Sequence, residues 1–515
     1  MIVKSLGLVS PTTVPFTSVR LGKSTFQITT SVGRVLQTYD LRRGLNLIFL
    51  SHPQTPDIIT ATFAYKDKVF AAWGNLRPGS RGGIWVFKRG EKIASLDAPP
   101  AGHGPIEQLL VFGSWVVACT NSSVQVWKSE TCEHYATLNP IVLPGQRGLA
   151  ESIYTGKMCT MPTFLNKIFI GRYDGSVDIW NVRTAKLVYS LPAASSNAGP
   201  VTALEPTPVV SLVAIAHRSG AIFIKDVETG RTLLRLREES ANIPPVTSVA
   251  FRSDDSGAGE DGHEPGVMAT ACPGSGDITL WDLNNGGKVT GIFRGAHSTT
   301  SEQARSGINR IEFLDGQPLL VSSGNDNSLQ TWIFDESSLS PIPRRLHSRR
   351  GHSTPITTLT FLPAPSDGSE AGGKWLLSAS KDCSLWGFSL RKDSQNTELS
   401  QGRGEHRADK SGVQRSAALD GYKAPEITCI ACSLNRDGGM GVTASGPIWS
   451  NSRNPSAGAN DSSGWESVVT GHRGDRFART WFWGRKRAGR WAFETSDRTE
   501  VKVRSIFLIF QIPSS

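Results

Sequence analysis

The sequence predicts an all-β chain made of repeated four-stranded units. Three observations carry this. First, a short word of acid, serine, aliphatic and aromatic residues recurs, as in "DGSVDIW" (174–180), "DNSLQTW" (326–332) and "DCSLWGF" (382–388). Second, its aromatic position can be followed through Tyr39, Phe87, Trp127, Trp180, Lys225 (a degenerate copy), Trp281, Trp332 and Phe388, at spacings of 40 to 56 residues. That is the period of a supersecondary unit, not of a whole domain. Third, 52 Gly and 14 Trp describe a turn-rich chain with large aromatic anchors. At 515 residues the chain is too long for one ordinary core, so two domains or one large repetitive domain are expected.

Each part of the unit has a physical reason. Asp, Asn or Gly opens the word because a tight turn needs residues that tolerate unusual φ and bond nearby backbone. The aliphatic and aromatic residues that follow sit on a strand packed on both faces. A second strand precedes the word, as in "KIFIGR", "LLVSSG" and "WLLSAS". An alternating strand stands further upstream, as in "PVTALEP", "PVTSVAF", "GINRIEF" and "PITTLTF". "KLVYSL" and "KVTGIF" supply a fourth strand after the aromatic residue. Four such strands make one blade of a β-propeller.

These blades resemble the WD-repeat family, whose Gly-His signature stands at 102–103 and 351–352, with "GAH" ending at His297. The resemblance implies a buried hydrogen-bond chain in each blade. His297, Asp326, Ser328 and Trp332 form the most complete set. His352 with Asp382 and Ser384 forms another, cut short by Phe388. Asp174 and Trp180 carry the word in a third blade. Because the set recurs, it reads as packing and not as a catalytic Ser–His–Asp group.

Seven copies, Phe87 to Phe388, complete one ordinary ring, or eight if Tyr39 joins them. The expected division is a first propeller over 51–395, a polar linker over 396–425, and the incomplete start of a second propeller over 426–515, with a ninth word at "DRFARTW" (475–481). The N-terminal strands, 1–50, are assigned either to that second propeller or to an eight-bladed first one. The segment 391–425 is charged and almost free of large apolar residues, as a linker requires. "SDDSGAGEDGHEPG" (253–266) and "APSDGSEAGG" (364–373) read as loops inserted within blades, at little closure cost. The second ring has too little chain to close, so a truncated or mis-spliced product is expected, a short isoform being the alternative. "MIVKSLGLVSPTTVPF" lacks the apolar core of a signal peptide, and no run approaches the roughly 20 apolar residues of a membrane span, so a soluble intracellular protein is expected. The seven scattered Cys read as reduced thiols.

The chemistry-bearing motifs of the chain are each incomplete. "LGKS" (21–24) lacks the earlier Gly of a phosphate loop and runs into a strand. Cys429 and Cys432 are one C-x-x-C pair inside alternating "EITCIACSL", without two further zinc ligands. His347 and His352 lack the helical H-E-x-x-H pattern, and Asp254 and Asp255 lie in a polar loop. No cofactor, metal or small-molecule substrate is expected, and no enzyme.

The net charge of +10 favours a polyanionic partner. "GDRFARTWFWGRKRAGRW" interleaves Arg479, Arg485, Lys486, Arg487 and Arg490 with Trp481, Phe482, Trp483 and Trp491, a pattern that can track phosphates and stack bases. These five residues are the candidate RNA contacts. The opposing reading is a hairpin whose aromatics pack blades while its cations are solvated. "PRRLHSRRGH" (343–352) is a second basic loop.

Longer stretches go beyond generic repeats: "FQITTSVGRVLQTYDLRRGLNLIFLS", "DIITATFAYKDKVFAAWG", "LLVSSGNDNSLQTWIFD", "GHSTPITTLTF" and "FARTWFWGRKRAGRWAF". They resemble the fungal form of the U3 small nucleolar RNA-associated WD-repeat family numbered twenty-one in its series, over most of residues 1–500. The resemblance implies a non-enzymatic scaffold of the small-subunit processome, in the nucleolus. It implies partners among the WD-repeat subunits of the UTP-B subcomplex, and contact, direct or indirect, with the U3 particle and pre-ribosomal RNA. It assigns no residue a contact. The alternative function is a substrate receptor or signalling adaptor for protein partners, with no membrane role in either case.

Overall fold

The computed structural model describes residues 7–9, 14–42, 44–76, 81–96, 104–141, 153–195, 197–209, 211–237, 244–254, 266–297, 307–334, 343–362, 374–391, 395–401, 424–432, 442–443, 446–447 and 466–494. They divide into two compact units, Leu8–Arg350 and Met1–Gly7 with Gly351–Ser515. Regular structure among them is all strand, and no helix is long and apolar enough to cross a membrane. Gly102-His103, most of the polar linker and most of both inserted loops lie outside the described residues.

In Leu8–Arg350 the strands form seven four-stranded antiparallel sheets, each in sequence order. Blade 1 runs from strand Thr17–Arg20 to strand Asn46–Leu50, blade 2 from Ile59–Tyr65 to Glu91–Ser95, and blade 3 from Gln108–Phe112 to His134–Leu138. Blade 4 runs from Tyr154–Cys159 to Lys186–Leu191, blade 5 from Val201–Pro206 to Thr232–Arg237, blade 6 from Ser248–Phe251 to Lys288–Phe293, and blade 7 from Ile308–Phe313 to Arg344–Arg350. The first strands of successive blades adjoin, so they are the inner strands of a ring.

Blade 7 closes the ring against blade 1. Leu314, Val321 and Leu329 share one buried cluster with Phe16, Phe26, Ile28 and Tyr39. Arg349 Nε donates to the Leu45 carbonyl at 2.9 Å, and the Val9 amide donates to Asn327 Oδ1 at 2.9 Å. This division differs from the expected 51–395. The Tyr39 copy belongs to the first ring, which has seven blades, and the Phe388 copy belongs to the other unit. The reason is packing: Tyr39 is the side chain that fills the seam between blades 7 and 1.

The repeated aromatic does the same at other seams, each packing its own blade onto the preceding one. Trp127 lies among Phe70, Ile84 and Val86 of blade 2, Trp180 against Val117 and Val126 of blade 3, and Trp281 against Ala214 and Ile222 of blade 5. In the degenerate copy Lys225 is 2 % exposed, and its Nζ reaches out to the Pro192 carbonyl at 2.5 Å. Its methylene stem takes the place of the ring while its ammonium finds an acceptor. Burial lowers its pKa.

Two local features of the word were not expected. The strand carrying the aromatic has a bulge beside it in every blade of the ring, which sharpens twist there. The second residue of the word can also be left-handed: Gly175 has φ 85, Asn327 φ 53 and Cys383 φ 62. Gly and Asn take this conformation readily and Cys does not.

The second unit contains the sheet from Ile356–Phe361 to Thr397–Glu398 and the sheet made of Ile427–Cys432, Val468–His472, Phe477–Phe482 and Arg487–Glu494. Leu377, Leu385, Ile427 and Trp481 share their core. Thr357 Oγ1 donates to the Ile427 carbonyl at 2.6 Å. Gly7 belongs here: a β-carbon on it would stand 2.6 Å from the Phe388 ring. Cys429 and Cys432 lie within the strand Ile427–Cys432, and among the described residues no His, Cys, Asp and Glu group is arranged to hold a metal.

Candidate functional site

Three constellations bear on function: the buried hydrogen-bond sets, the charged ring axis and the basic hairpin. The His297 set is complete. His297 Nδ1–H donates to Asp326 Oδ1 at 2.9 Å. Its Nε2 pairs with Ser322 Oγ at 2.8 Å, and Trp332 Nε1–H donates to the same Ser322 Oγ at 2.9 Å. The expected serine, Ser328, joins the set at its aspartate end, 2.8 Å from His297 Nδ1. It donates to Asp326 Oδ1 at 2.6 Å and does not reach Trp332. The link to the indole is Ser322, ten residues before it on the adjacent strand. The His297 side chain is 0 % exposed, so this is a structural strut closed to substrate.

His352 repeats the arrangement in the second unit. It bonds Asp382 Oδ2 at 3.2 Å and Ser378 Oγ at 3.0 Å, and stops there because Phe388 has no N–H. Burial works against the Asp382 charge, but the His352 and Ser384 bonds outweigh it and hold the carboxyl below its ordinary value. Blade 4 is rewired. Trp180 Nε1–H donates to the Tyr154 hydroxyl at 3.1 Å, and Tyr154 donates to Asp178 at 3.3 Å. Arg172 pairs with Asp178 at 2.8 Å. Asp174 instead caps its own turn, accepting from the Ser176 amide at 2.9 Å. The signal was present in "GRYDGSVDIW": Arg172 and Asp178 stand at strand positions that both faces bury.

Side chains also stitch the inner strands around the ring. Gln108 bonds both the Met158 carbonyl (2.9 Å) and the Met158 amide (2.7 Å). Ser248 Oγ accepts from the Ile311 amide at 2.9 Å, and Thr17 Oγ1 from the Ala64 amide at 2.8 Å. Ser18 donates to Glu312 across the closing seam. Glu205 stands exposed on its inner strand. Desolvation by the neighbouring strands pushes its carboxyl up to about 7, opposed by Arg310 and aided by the Glu312 charge.

A pH prediction follows. With its folded pKa above the unfolded value, Glu205 binds more protons in the native state between about pH 4.5 and 7. Its contribution is full below that window and is lost as pH rises through about 7. Glu205→Gln is expected to raise stability at pH 8 and leave it unchanged at pH 4.5, by urea denaturation. Solvent reaches the carboxylate, so the gain is about 1 kcal/mol, well below the unscreened value.

The five candidate RNA contacts lie on or beside the hairpin of strands Phe477–Phe482 and Arg487–Glu494. They are not equivalent. Arg479 is committed to Asp475 at 2.7 Å. Lys486 Nζ lies 2.8 Å from the centroid of Trp483 and 4.9 Å from that of Trp375, so its charge is capped by indoles. Arg485 lies over Phe482 at 5.2 Å. Arg487 is exposed. Arg490 lies on the outer strand, its side chain outside the described residues. Among the aromatics, Trp481 is 1 % exposed and belongs to the core. Its N–H donates to Thr470, which pairs with His472. By contrast Trp491 is 64 % exposed and Phe493 is 49 % exposed. These two, on alternate positions with Arg487 along one strand, form an open cation–aromatic row that the sequence reading did not separate from the packed aromatics.

Comparison with known proteins bears on the whole chain. A family model described as the WDR36/Utp21 first beta-propeller matches residues 28–335. "U3 small nucleolar RNA-associated protein 21 homolog" of Schizosaccharomyces pombe is 33% identical over 97% of this chain and 47% of its own length. "U3 small nucleolar RNA-associated protein 21" of Saccharomyces cerevisiae is 31% identical over 95% of this chain and 46% of its own. Human "WD repeat-containing protein 36" is 30% identical over 93% and 45%. The chain thus spans about half the length of these curated relatives.

Proposed function

Since the chain belongs to the WDR36/Utp21 family of WD-repeat propeller proteins, we propose that it is a non-enzymatic scaffold of the small-subunit processome. In this reading it supports U3-dependent cleavage of pre-ribosomal RNA and maturation of 18S RNA in the nucleolus. Its partners are the WD-repeat subunits of the UTP-B subcomplex and the U3 particle. The observation that carries the reading is the match of more than nine-tenths of this chain to two yeast proteins named for U3 small nucleolar RNA. A ring with rigid faces and a basic excess suits an RNA-rich particle, and its buried His–Asp sets offer no reactive group to a substrate.

Depletion of the protein in cells that express it is the test. Loss of 18S RNA with build-up of precursor uncleaved at its 5′ end, while large-subunit RNA persists, supports the reading. Normal processing on depletion overturns it and favours a receptor or adaptor for protein partners.

Within this function, direct RNA contact is proposed for the basic hairpin, where Arg485 and Arg487 supply charge and Trp491 a stacking face. Lys486 and Arg479 serve the packing. Arg487→Glu with Trp491→Ala is expected to weaken retention of a single-stranded RNA about tenfold, the scale of one stacked base and one phosphate contact. Unchanged retention in a filter-binding assay at 100 mM salt removes the hairpin from the RNA path.

A further inference from the structure

The seam between blades 1 and 2 differs from its neighbours. Its word aromatic is Phe87, where Trp127 and Trp180 fill the next two seams. The buried cluster there is small: Leu36, Ile59, Ala71 and Phe87. A phenylalanine in place of an indole leaves volume unfilled, and a cleft of about 350 Å³ opens beside this cluster. Leu36, Val69 and Phe87 contribute to its apolar lining, with Val19 and Leu21 from blade 1. That volume lies at the small end of ligand pockets, enough for one or two side chains rather than a large cofactor.

The cleft also carries an excess of positive charge. Lys68 and Arg89 line it, and neither makes a salt bridge among the described residues. Asp67, the carboxylate in the lining, is already paired with Lys88 at 2.7 Å. Three of the segments that line the cleft, 19–27, 65–69 and 87–92, hold seven Lys and Arg against Asp67 and Glu91, with Arg20 engaged by Asp315. An anionic occupant is therefore favoured.

The lining decides which kind of anion. Phe87 is 1 % exposed, and the nearby Trp85 ring is covered by Lys92 Nζ at 3.6 Å. Phe49, the other ring in the lining, is only partly exposed, so a run of bases would find one partial face where single-stranded nucleic acid binding uses successive rings. An aliphatic or aromatic side chain carried by an acidic peptide meets both features. It inserts into the apolar lining while flanking carboxylates reach Lys68 and Arg89. We infer that this seam is a docking site for a short acidic peptide segment of a partner protein, anchored by one large apolar side chain.

The test is panning of a random heptapeptide display library on the full chain. Two variants serve as comparisons: Lys68→Glu with Arg89→Glu, which reverses the charge, and Val69→Phe, which fills the cleft and leaves the charge unchanged. All three positions are at least partly solvent-accessible, and equal thermal melting of the three proteins verifies folding. Peptides enriched on the wild-type chain are expected to carry a large apolar residue beside two or more Asp or Glu. Their affinity should fall at least tenfold in both variants, with Val69→Phe as the deciding one if the charge variant melts early. Absence of enrichment, or enriched peptides insensitive to Val69→Phe, overturns the inference. Retention of poly(U) that is lost on charge reversal but survives Val69→Phe, with no peptide enriched, assigns the surface to RNA instead.

Discussion

His297→Ala is expected to destabilise Leu8–Arg350 by about 2–3 kcal/mol, the cost of taking hydrogen-bond partners from buried polar groups. The imidazole joins two blades of the ring. It lies four residues beyond the last strand of blade 6, while Asp326, Ser322 and Ser328 all belong to blade 7 or the turn within it. Removal takes the imidazole N–H from Asp326, whose side chain is 5 % exposed, and leaves it the Ser328 hydroxyl. It also leaves the Ser322 hydroxyl with Trp332 alone. Trp332→Phe is the control. It removes one N–H donor and should cost only about 1 kcal/mol. Urea denaturation of both variants and of the double variant measures the coupling. Equal effects of His297→Ala and Trp332→Phe would falsify the view that the carboxylate dominates the set.

Trp127→Ala is expected to cost about 3–5 kcal/mol, the range for emptying a large aromatic site in a core. The indole is fully buried, and it touches the packed residues of both flanking blades, among them Phe70, Val86, Leu109 and Val116. Its neighbours include the β-branched Ile84, Val86, Val111 and Val116 on paired strands, whose stiff side chains relax poorly into a hole. Against a typical total of about 5–15 kcal/mol, such a loss leaves little margin. Trp491→Ala gives the contrast. At 64 % exposure it should change stability by less than about 0.5 kcal/mol. The pair of variants therefore separates a tryptophan that holds the ring from one that is available to a ligand.

Much of the architecture was legible along the chain. The recurring word located the third strand of each blade, because a turn-forming residue followed by a two-face-buried strand is a local chemical requirement. The two strands before it and the one after it followed from alternation. The reading of Cys429 and Cys432 as strand residues, and of "LGKS" as a turn into a strand, rested on the same local patterning, and both segments take these places. The candidate contacts were legible only as a group. Interleaved cations and aromatics in "RTWFWGRKRAGRW" cannot say which face each side chain takes, since a bulge between Arg479 and Trp481 shifts the register midway.

What the sequence determined by itself was the unit: its strands, its turn chemistry, its period, and the aromatic that fills each seam. These depend on residues within one repeat. Tertiary structure alone decided where the ring closes, because closure is a contact between Tyr39 and residues nearly three hundred positions later. It decided that Ser322, and not Ser328, bridges His297 to Trp332, because both serines lie at permissible spacings and only the pairing of adjacent strands brings one to the indole. It also decided that Phe87 leaves a cleft. A missing ring becomes a cavity only when the opposing blade is too rigid to move into it.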